Sequence, residues 1–450
     1  SMAQAIETLA QFAAKTGWGD MPAPVQKRAK LILLDTIGVM LAGAARPEMG
    51  ALQAGLAPTA GTGATVFAKG MPAADPRTAA MLNGMSGRAV EMTEGVRGLQ
   101  ASVHILPAML AIGEQRGASG RQVLEAFVLG YELAARIGLG FTPHRMAHPN
   151  GQVSLLGSAA AGARLHGLDA PGISLSMRIA STVMMLPSYN NTVTGATTLN
   201  LPAGMGGYAG VLAPEMARAG FFAQPDSVEE ALGVMIGTGF DPAPLLPGLG
   251  EDWQVLHNYF RFYACCNPIH PMLDSLADAL AELRPAPSDI ARIDAVTFAF
   301  GSVMRNAEPP NYFASKYSFP HAAAVLITRG GLGFSHIDDS ALADPAIAGL
   351  RKLVHMSEDP AMSATLPALR PARVTVTLRD GRTATASCDN SKREILRPDP
   401  EPLVREKFAE LAATMLTPAG IATVEASVDR AEDWTSPAEL MGLLRTHQRG

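Results

Sequence analysis

The chain has 450 residues, of which 48% are hydrophobic and 17% charged, with a formal net charge of −5 at pH 7. Length and apolar share together predict two domains and exclude a disordered chain. The slightly acidic balance excludes the basic surface that a nucleic-acid-binding protein needs, so no nucleic-acid partner is expected.

Location and cofactor use follow from what the sequence lacks. Three cysteines in this length do not form a disulfide framework, which predicts a cytoplasmic location. The longest apolar run, 31–44, contains Asp35 and is too short to span a bilayer, so no membrane association is expected. The sequence has no dinucleotide glycine fingerprint, phosphate loop, zinc-protease motif or paired Cys-x-x-Cys, and nothing in it indicates a metal or an organic cofactor.

Helices dominate the first part of the chain. Ser119-Gly-Arg-Gln122 is a capping box that predicts the start of one helix. The alanine and glycine content of 155–166 lets helices approach closely, which suits a compact helical core. Gly61-Thr62-Gly63 is a glycine-rich loop between two helices. Hydrophobic spacing and cap residues predict helices at 25–42, from Thr78, 108–114, 119–137, 155–166, 206–219 and 228–236.

Strands and helices are mixed in the second part. A strand is predicted at 292–300, and Asp380-Gly381 between two alternating runs predicts a β-hairpin of 372–378 with 383–388. Helices are predicted at 272–283, after His321, at 402–417 and at 437–446.

These elements define the predicted fold class. It is mainly α with an α+β part: a large all-α helical domain and a smaller α+β lid domain. The helical domain is expected to comprise residues 1–268 and 398–450, and the lid residues 269–397.

The segment between the two parts is rich in chemically active groups. It has the sequence Arg261-Phe-Tyr-Ala-Cys-Cys-Asn-Pro-Ile-His-Pro271, with a cation, a phenol, two adjacent thiols and an imidazole. Because proline does not continue a helix, the chain is expected to turn here. A turn at a domain junction is a common place for a ligand cleft.

This segment resembles the lysine-proline-tyrosine, cysteine-cysteine and histidine-proline segment of the MmgE/PrpD family, with Arg261 in place of the lysine and Phe262 in place of the proline. That family includes 2-methylcitrate dehydratase, cis-aconitate decarboxylase and iminodisuccinate epimerase. The resemblance extends over nearly the whole chain through Leu34-Asp-Thr-Ile-Gly38, Asn83-Gly84, the His148-Pro loop, Lys316 with Ser318 and Pro320, the hairpin and the C-terminal helices.

The resemblance implies a site between the helical domain and the lid. It also implies a homodimer, a small carboxylic acid as substrate, and no metal or organic cofactor.

His148 is the leading catalytic candidate. It lies in a polar loop, matches the family's histidine-proline motif, and has a side chain that titrates near neutrality. It is expected to be a general acid or base, or a donor to a carboxylate; the alternative is a histidine that orders the loop. Asn150 and Gln152 of the same loop are expected to bind substrate.

His104 is a second catalytic candidate. It lies four residues beyond Gln100, the position at which the family has a histidine. The alternative is that His104 is a buried histidine whose hydrogen bonds are satisfied within the protein.

An altered acidic segment supplies the next candidates. Where the family has a histidine followed by aspartates, this chain has Arg88, Glu91 and Thr93. Arg88 and Thr93 are expected to bind a substrate carboxylate, and Glu91 to be a catalytic acid; the alternative is a solvated loop or a capping cluster. Leu199 stands where the family carries a lysine, so one cation is missing or compensated elsewhere.

The lid and the junction segment supply the last candidates. Tyr263 and His270 are expected to be catalytic, and Lys316 and His321 to bind substrate. The alternatives are a surface lysine and structural histidines. Cys265 and Cys266 are adjacent, which suits neither metal chelation nor an easy disulfide, so buried and inert thiols are expected.

Together these residues suggest a cofactor-independent lyase. A base, His148 or His104, would remove a proton next to a carboxylate, while Arg88 and Lys316 hold the acid groups and Glu91 or Tyr263 assists as a protonated partner. The expected reaction is a β-elimination or hydration of a small carboxylic acid. Two alternatives stay open: an epimerase with bases on both faces of one carbon, and a ligand-binding protein that has lost catalysis.

Overall fold

The computed structural model of the protein describes residues 1–56, 63–392 and 398–450. Most of the predicted loop Gly61-Thr62-Gly63 lies outside these residues, and so does the predicted end of the lid at 393–397.

Helices form most of the first part of the chain. Two short antiparallel pairs of strands accompany them, Ala64–Thr65 (β1) with Ala73–Ala74 (β2) and Phe141–Pro143 (β3) with Gly237–Phe240 (β4). The helices are Met2–Lys15 (α1), Ala23–Ala44 (α2), Pro47–Leu56 (α3), Pro76–Arg88 (α4), Ala101–Arg116 (α5), Gly120–Gly140 (α6), Val153–Leu165 (α7), Ala170–Ser181 (α8), Leu201–Arg218 (α9) and Ser227–Glu230 (α10).

Close packing of α5, α6, α7 and α9 builds the main hydrophobic core. Small residues make it possible: a Cβ on Gly162 of α7 would lie 2.0 Å from the backbone oxygen of Gly210 on α9. Only glycine fits such an approach, so the alanine- and glycine-rich helix has the packing role that its composition predicts.

A four-stranded mixed sheet organises the second part. Ile290–Thr297 (β5) is parallel to Val354–Glu358 (β6) and antiparallel to Ala372–Leu378 (β7), which pairs with Thr383–Cys388 (β8) in the order β6-β5-β7-β8. Helix α11 (His270–Leu283) packs against β7 and β8. The other helices of this part are Ala299–Ser302 (α12), Tyr312–Ser315 (α13), Phe319–Arg329 (α14), Asp339–Ala343 (α15), Pro345–Arg351 (α16) and Pro360–Ser363 (α17).

The C-terminal helices pack on the helical part again. They are Glu401–Ala412 (α18), Pro418–Asp429 (α19) and Ala438–Thr446 (α20), and α18 packs along α2. A buried ion pair joins these two helices, with the Nζ of Lys407 2.8 Å from the Oδ1 of Asp35.

The boundary between the two parts is itself packed. The second hydrophobic core consists mainly of residues from the lid, but it includes Val39 of α2, Val90 and Leu199 from the helical part. The site candidates at the ends of α4 and α9 are therefore next to the lid.

The predicted fold class is confirmed: a helical domain is combined with a smaller part that contains a mixed sheet. The domain boundaries stay a prediction. The sequence predicted no membrane association. In the described ranges, no helix is both long and apolar enough to cross a bilayer. The compartment and the homodimer also stay predictions.

Some element predictions were wrong in detail. Helix α5 begins at Ala101 rather than 108, so His104 and Pro107 lie inside it. The helix predicted at 402–417 ends at Ala412, and α19 starts after a turn. Strand β6 was not predicted, because its partly exposed Val354–Glu358 sequence has only a weak apolar alternation.

Candidate active site

The loop that carries His148 is fixed by its own polar groups. The backbone N–H of His148 donates to the carbonyl of Pro187 at 2.8 Å. The side-chain amide of Gln152 donates to the carbonyls of His148 at 3.3 Å and Met185 at 3.0 Å. Asn150 and Gln152, which were expected to bind substrate, are both buried and help to hold this loop.

The imidazole of His148 is buried, and its hydrogen bonds define its tautomer. Its Nδ1 accepts from the backbone N–H of Asn150 at 3.3 Å, so the proton of the neutral ring is on Nε2. Among the hydrogen bonds of the described residues, none involves its Nε2. The ring lies 5.2 Å from that of Tyr189. Burial, and then the positive charge of Arg88, lower the pKa of His148 to about 3, so it is a neutral N–H donor at pH 7.

His104 uses both of its ring nitrogens within the protein. Nδ1 donates to the carbonyl of Gln100 at 2.8 Å, and Nε2 accepts from the backbone N–H of Gly151 at 2.9 Å. Burial lowers the pKa of His104 to about 4, although its hydrogen bond to the Gln100 carbonyl acts in the opposite direction. His104 thus connects α5 to the loop of His148 and positions that loop, and neither nitrogen is available as a base in this arrangement.

A buried network of charges lies at the boundary between the helical part and the lid. Arg88, at the end of α4, and Arg261, in the junction segment, donate to opposite oxygens of the Glu91 carboxylate. The hydroxyl of Tyr317, from the lid, donates to the same carboxylate at 2.8 Å. We call these four residues the arginine–glutamate network. Arg88 and Glu91 were predicted as site residues, and the structure brings them together.

The network determines the charge of Glu91. Burial alone would raise the pKa of its carboxyl, but the charges of Arg88 and Arg261 and the hydrogen bonds from Arg261 and Tyr317 hold it well below its usual range. Glu91 is therefore an ionised acceptor at neutral pH, and the suggestion that it is a protonated catalytic acid does not fit this geometry. Its backbone has φ of +55°, a conformation that non-glycine residues rarely adopt.

The network and the His148 loop form one electrostatic unit. Arg88, Glu91 and Arg261 all act on the pKa of His148. Glu91 and Arg261 likewise act on Tyr189, whose ring lies against His148 and whose pKa is raised well above its usual value, first by burial. The hydroxyl of Tyr189 therefore stays protonated.

The junction residues Tyr263 and His270 have different partners. The hydroxyl of Tyr263 donates to Asp274 on α11 at 2.9 Å, and the Nε2 of His270 donates to the carbonyl of Cys265 at 2.8 Å. The two rings are in edge contact at 5.3 Å. These bonds connect the junction segment to α11, and they do not bring either side chain to His148.

Lys316 and His321 lie in a second polar cluster on the lid. Lys316 is fully buried; its Nζ lies 4.5 Å from the ring centre of Tyr312 and has no hydrogen-bond partner within the described part of the chain. Arg351 donates to the Nδ1 of His321 at 3.0 Å. Burial, with Arg351 and Lys316, lowers the pKa of His321 to about 3. An uncompensated buried ammonium group is costly, so this cluster is suited to hold an anion.

The remaining candidates are also buried. Thr93 is fully buried, and its hydroxyl is without a partner in the described ranges.

The two adjacent cysteines, Cys265 and Cys266, are free and buried as predicted. Burial raises the pKa of the Cys266 thiol far above its usual value. Leu199 lies in the second hydrophobic core. No group of three or more histidine, cysteine or acidic residues in the described segments could hold a metal ion.

Sequence reasoning missed three residues of this site. Tyr189 and Tyr317 were not among the predicted site residues. Arg261 was noted as a replacement for a lysine but was not included among the site residues. A weak signal existed for Tyr317 and Arg261, because each lies inside a segment that was already singled out.

Comparison with known proteins identifies the architecture. The model of the MmgE/PrpD N-terminal domain matches residues 7–242, and that of the MmgE/PrpD C-terminal domain matches residues 263–431. The chain belongs to the MmgE/PrpD family. Its relatives include cis-aconitate decarboxylase of Aspergillus terreus, 24% identical over 96% of this chain and 95% of the relative. Another is human cis-aconitate decarboxylase, 23% identical over 95% of this chain and 92% of the relative.

Another buried carboxyl lies beside the site of this MmgE/PrpD protein. Glu94 accepts hydrogen bonds from the hydroxyl of Tyr131 at 2.8 Å, from the side chain of Asn258 at 3.2 Å and from the backbone of Ser102 at 3.1 Å. Burial outweighs these bonds and raises its pKa to about 7.

Glu94 should make the protein less stable as the pH rises. Between about pH 4.5 and 7 the folded state binds more protons at Glu94 than the unfolded state, so the free energy of unfolding falls as pH rises, by about 1.4 kcal/mol per unit of pKa shift. Because buried histidines with lowered pKa values give the opposite slope, the difference between wild type and Glu94→Gln isolates this effect. Urea unfolding at pH 5, 6 and 7 should show Glu94→Gln gaining stability relative to wild type with rising pH. Glu229→Gln, at an exposed site, should show no such gain; an equal profile for all three proteins would contradict the assignment.

Proposed function

We propose that this protein is a cofactor-independent lyase that acts on a small carboxylic acid and uses His148 to transfer a proton. Membership of the MmgE/PrpD family and the cis-aconitate decarboxylase relatives support an enzyme that acts on such acids. The observation that carries the proposal is the buried His148 imidazole, whose Nε2–H has no hydrogen-bond partner among the described residues; its ring lies against Tyr189, and the charges of the arginine–glutamate network act on it.

The neutral state of His148 suits chemistry on an anionic substrate. A neutral imidazole N–H donates a hydrogen bond to a carboxylate or an enolate oxygen, and it transfers the proton when negative charge develops. Burial keeps His148 neutral, and the nearby arginines add to this effect because a further positive charge would be repelled. Lys316, a buried cation whose Nζ has no hydrogen-bond partner in the described part of the chain, is the proposed anchor for a substrate carboxylate.

Loss of carbon dioxide is the reaction that this donor set fits best. The bond between the carboxylate carbon and its neighbour breaks, carbon dioxide leaves, and the electron pair stays on the neighbouring carbon. His148 then gives the proton of Nε2 to that carbon. The imidazolate that remains takes a proton from water, and the resulting hydroxide combines with the released carbon dioxide as bicarbonate. A single acid is sufficient for this sequence. The resemblance to decarboxylases is in agreement with it.

β-Elimination or hydration, the reaction expected from the sequence, is the second candidate. It needs a base to remove a proton and an acid to assist the leaving hydroxide. His104 is engaged at both nitrogens and Glu91 by the two arginines, so His148 would have to take both roles in turn through its other tautomer. Epimerisation needs two acid–base groups, one on each face of the same carbon.

Replacing His148 tests the catalytic assignment. His148→Gln keeps an N–H donor but not a proton that is readily transferred, so kcat should fall about 10²–10⁴-fold with a smaller change in KM. The assay is proton and carbon NMR in deuterated buffer with a panel of mono-, di- and tricarboxylic acids. Decarboxylation places one deuterium on the product carbon, elimination gives new olefinic signals, and epimerisation introduces deuterium into intact substrate.

The matched control for this experiment is His144→Gln. His144 lies in the same loop but is exposed, so its variant should keep the wild-type rate. Equal losses in both variants, or a His148→Gln enzyme within tenfold of wild type, would contradict the assignment.

Lys316→Met tests the proposed anchor. Methionine fills a similar volume without the charge, so the variant should unfold at a higher temperature because an uncompensated buried cation is removed. It should also raise KM for the substrate about 10–100-fold, since a buried charged contact of about 1.5–3 kcal/mol is lost. Lys352→Met, at an exposed position, should change neither quantity. A Lys316→Met protein that is less stable and has an unchanged KM would show that the lysine is structural.

A further inference from the structure

Residues 185–195, which we call the bridging segment, lie against the loop of His148 on one side. Three backbone hydrogen bonds join the two: Met185 N–H to the Gly151 carbonyl at 3.0 Å, His148 N–H to the Pro187 carbonyl at 2.8 Å and Tyr189 N–H to the Met146 carbonyl at 2.8 Å. Ala147 and Ser188 form an antiparallel bridge at the same place. A displacement of the bridging segment would therefore move the loop of His148 with it.

The other side of the bridging segment contacts the lid. The ring of Tyr189 meets the ring of Phe300 in α12 edge to face, with 4.8 Å between the ring centres. Further along, the side-chain amide of Asn311, the N-cap of α13, donates to the carbonyl of Gly195 at 3.3 Å. A Cβ at Gly195 would lie 2.2 Å from the Oδ1 of Asn311, so only glycine allows this approach.

The ring of Tyr189 is the side chain that contacts both the lid and His148. Its centre is 5.2 Å from that of the imidazole, and the two planes are inclined by 32°. The hydrogen bond that orients the imidazole, from the backbone N–H of Asn150 to Nδ1, is 3.3 Å long. Because a bond of this length is at the weak end of the usual range, the orientation of the imidazole depends strongly on the ring packed against it.

We propose that Tyr189 is a positioning residue that couples the lid to His148: the contact with Phe300 holds the Tyr189 ring against the imidazole and so keeps its Nε2–H in the donor orientation. This inference rests on the proposed function, because it concerns how His148 is held for proton transfer. A misplacement of about 1 Å can lower a catalytic rate about 10²-fold. Proton transfer would then be efficient only while the lid is in place.

Variants of Tyr189 test the role of its ring. Tyr189→Leu removes the ring, so kcat should fall about 10–100-fold while KM changes much less, since the substrate-binding groups stay in place. Tyr189→Phe keeps the ring and loses the hydroxyl, so it should recover kcat to within about threefold of wild type. Equal losses in the two variants would overturn the proposal, because the hydroxyl would then be the important group.

Variants of Phe300 test the contact from the lid side. Phe300 is 37% exposed, so its replacement should leave the fold intact. Phe300→Ala should lower kcat about 3–10-fold, the equivalent of one aromatic pair, and Phe300→Tyr should recover the rate. Val303→Ala is the matched control, because Val303 lies at the end of the same helix and is 54% exposed. It should keep the wild-type rate; a loss equal to that of Phe300→Ala would contradict the coupling.

A double-mutant cycle separates coupling from two independent effects. If Phe300 acts on His148 through the Tyr189 ring, Phe300→Ala should cause no further loss in the Tyr189→Leu background. Losses that multiply in the double variant would show that the lid acts by another route, and the proposal would be wrong.

Nitrogen-15 NMR of the His148 ring measures the same coupling without turnover. The Nδ1 and Nε2 signals should shift in Phe300→Ala in the same direction as in Tyr189→Leu, and they should stay unchanged in Val303→Ala. Unchanged His148 signals in Phe300→Ala would overturn the proposal.

The two proposals fail in distinguishable ways. If the protein is not a lyase, no acid of the panel reacts, while the His148 signals still respond to Phe300→Ala. If Tyr189 does not couple the lid to His148, those signals stay as in wild type while the His148-dependent reaction persists in Phe300→Ala at the wild-type rate.

Discussion

The ion pairing of Glu91 with Arg88 and Arg261 is the interaction on which the rest of the site depends. Two arginines could not be buried at the boundary between the helical part and the lid without a counter-charge, since an uncompensated buried charge costs several kcal/mol. The pairing connects the end of α4 to the junction segment, and Tyr317 extends it to the lid. Removing Glu91 would therefore cost about 3–5 kcal/mol and loosen the contact between the two parts.

The same network explains the protonation state of the proposed catalytic residue. His148 is buried beside a group of charges whose sum is positive, and both burial and repulsion favour the neutral ring. The backbone N–H of Asn150 fixes the tautomer, and His104 fixes the loop through Gly151. A neutral N–H donor in a buried, positively charged surrounding is suited to an anionic substrate and to a transition state in which negative charge develops on carbon.

The fold could be predicted from the sequence because hydrophobic period, capping boxes and turn residues are local signals. The hairpin of β7 and β8 and the start of α6 at Ser119 were found in this way. Strand β6 was missed because its partly exposed sequence has only a weak apolar alternation. The roles of individual site residues depend on contacts between distant segments. Nothing local in the sequence indicates that Arg261 and Arg88 share Glu91, or that both nitrogens of His104 are occupied.

The most direct measurement of the central claim is nitrogen-15 NMR of the His148 ring, assigned by comparison with His148→Gln. A neutral ring with its proton on Nε2 at pH 7, and no titration until the pH falls well below 5, is the predicted result. A ring that is already protonated on both nitrogens near pH 6, or a neutral ring with its proton on Nδ1, would contradict the role of His148 as a neutral donor from Nε2.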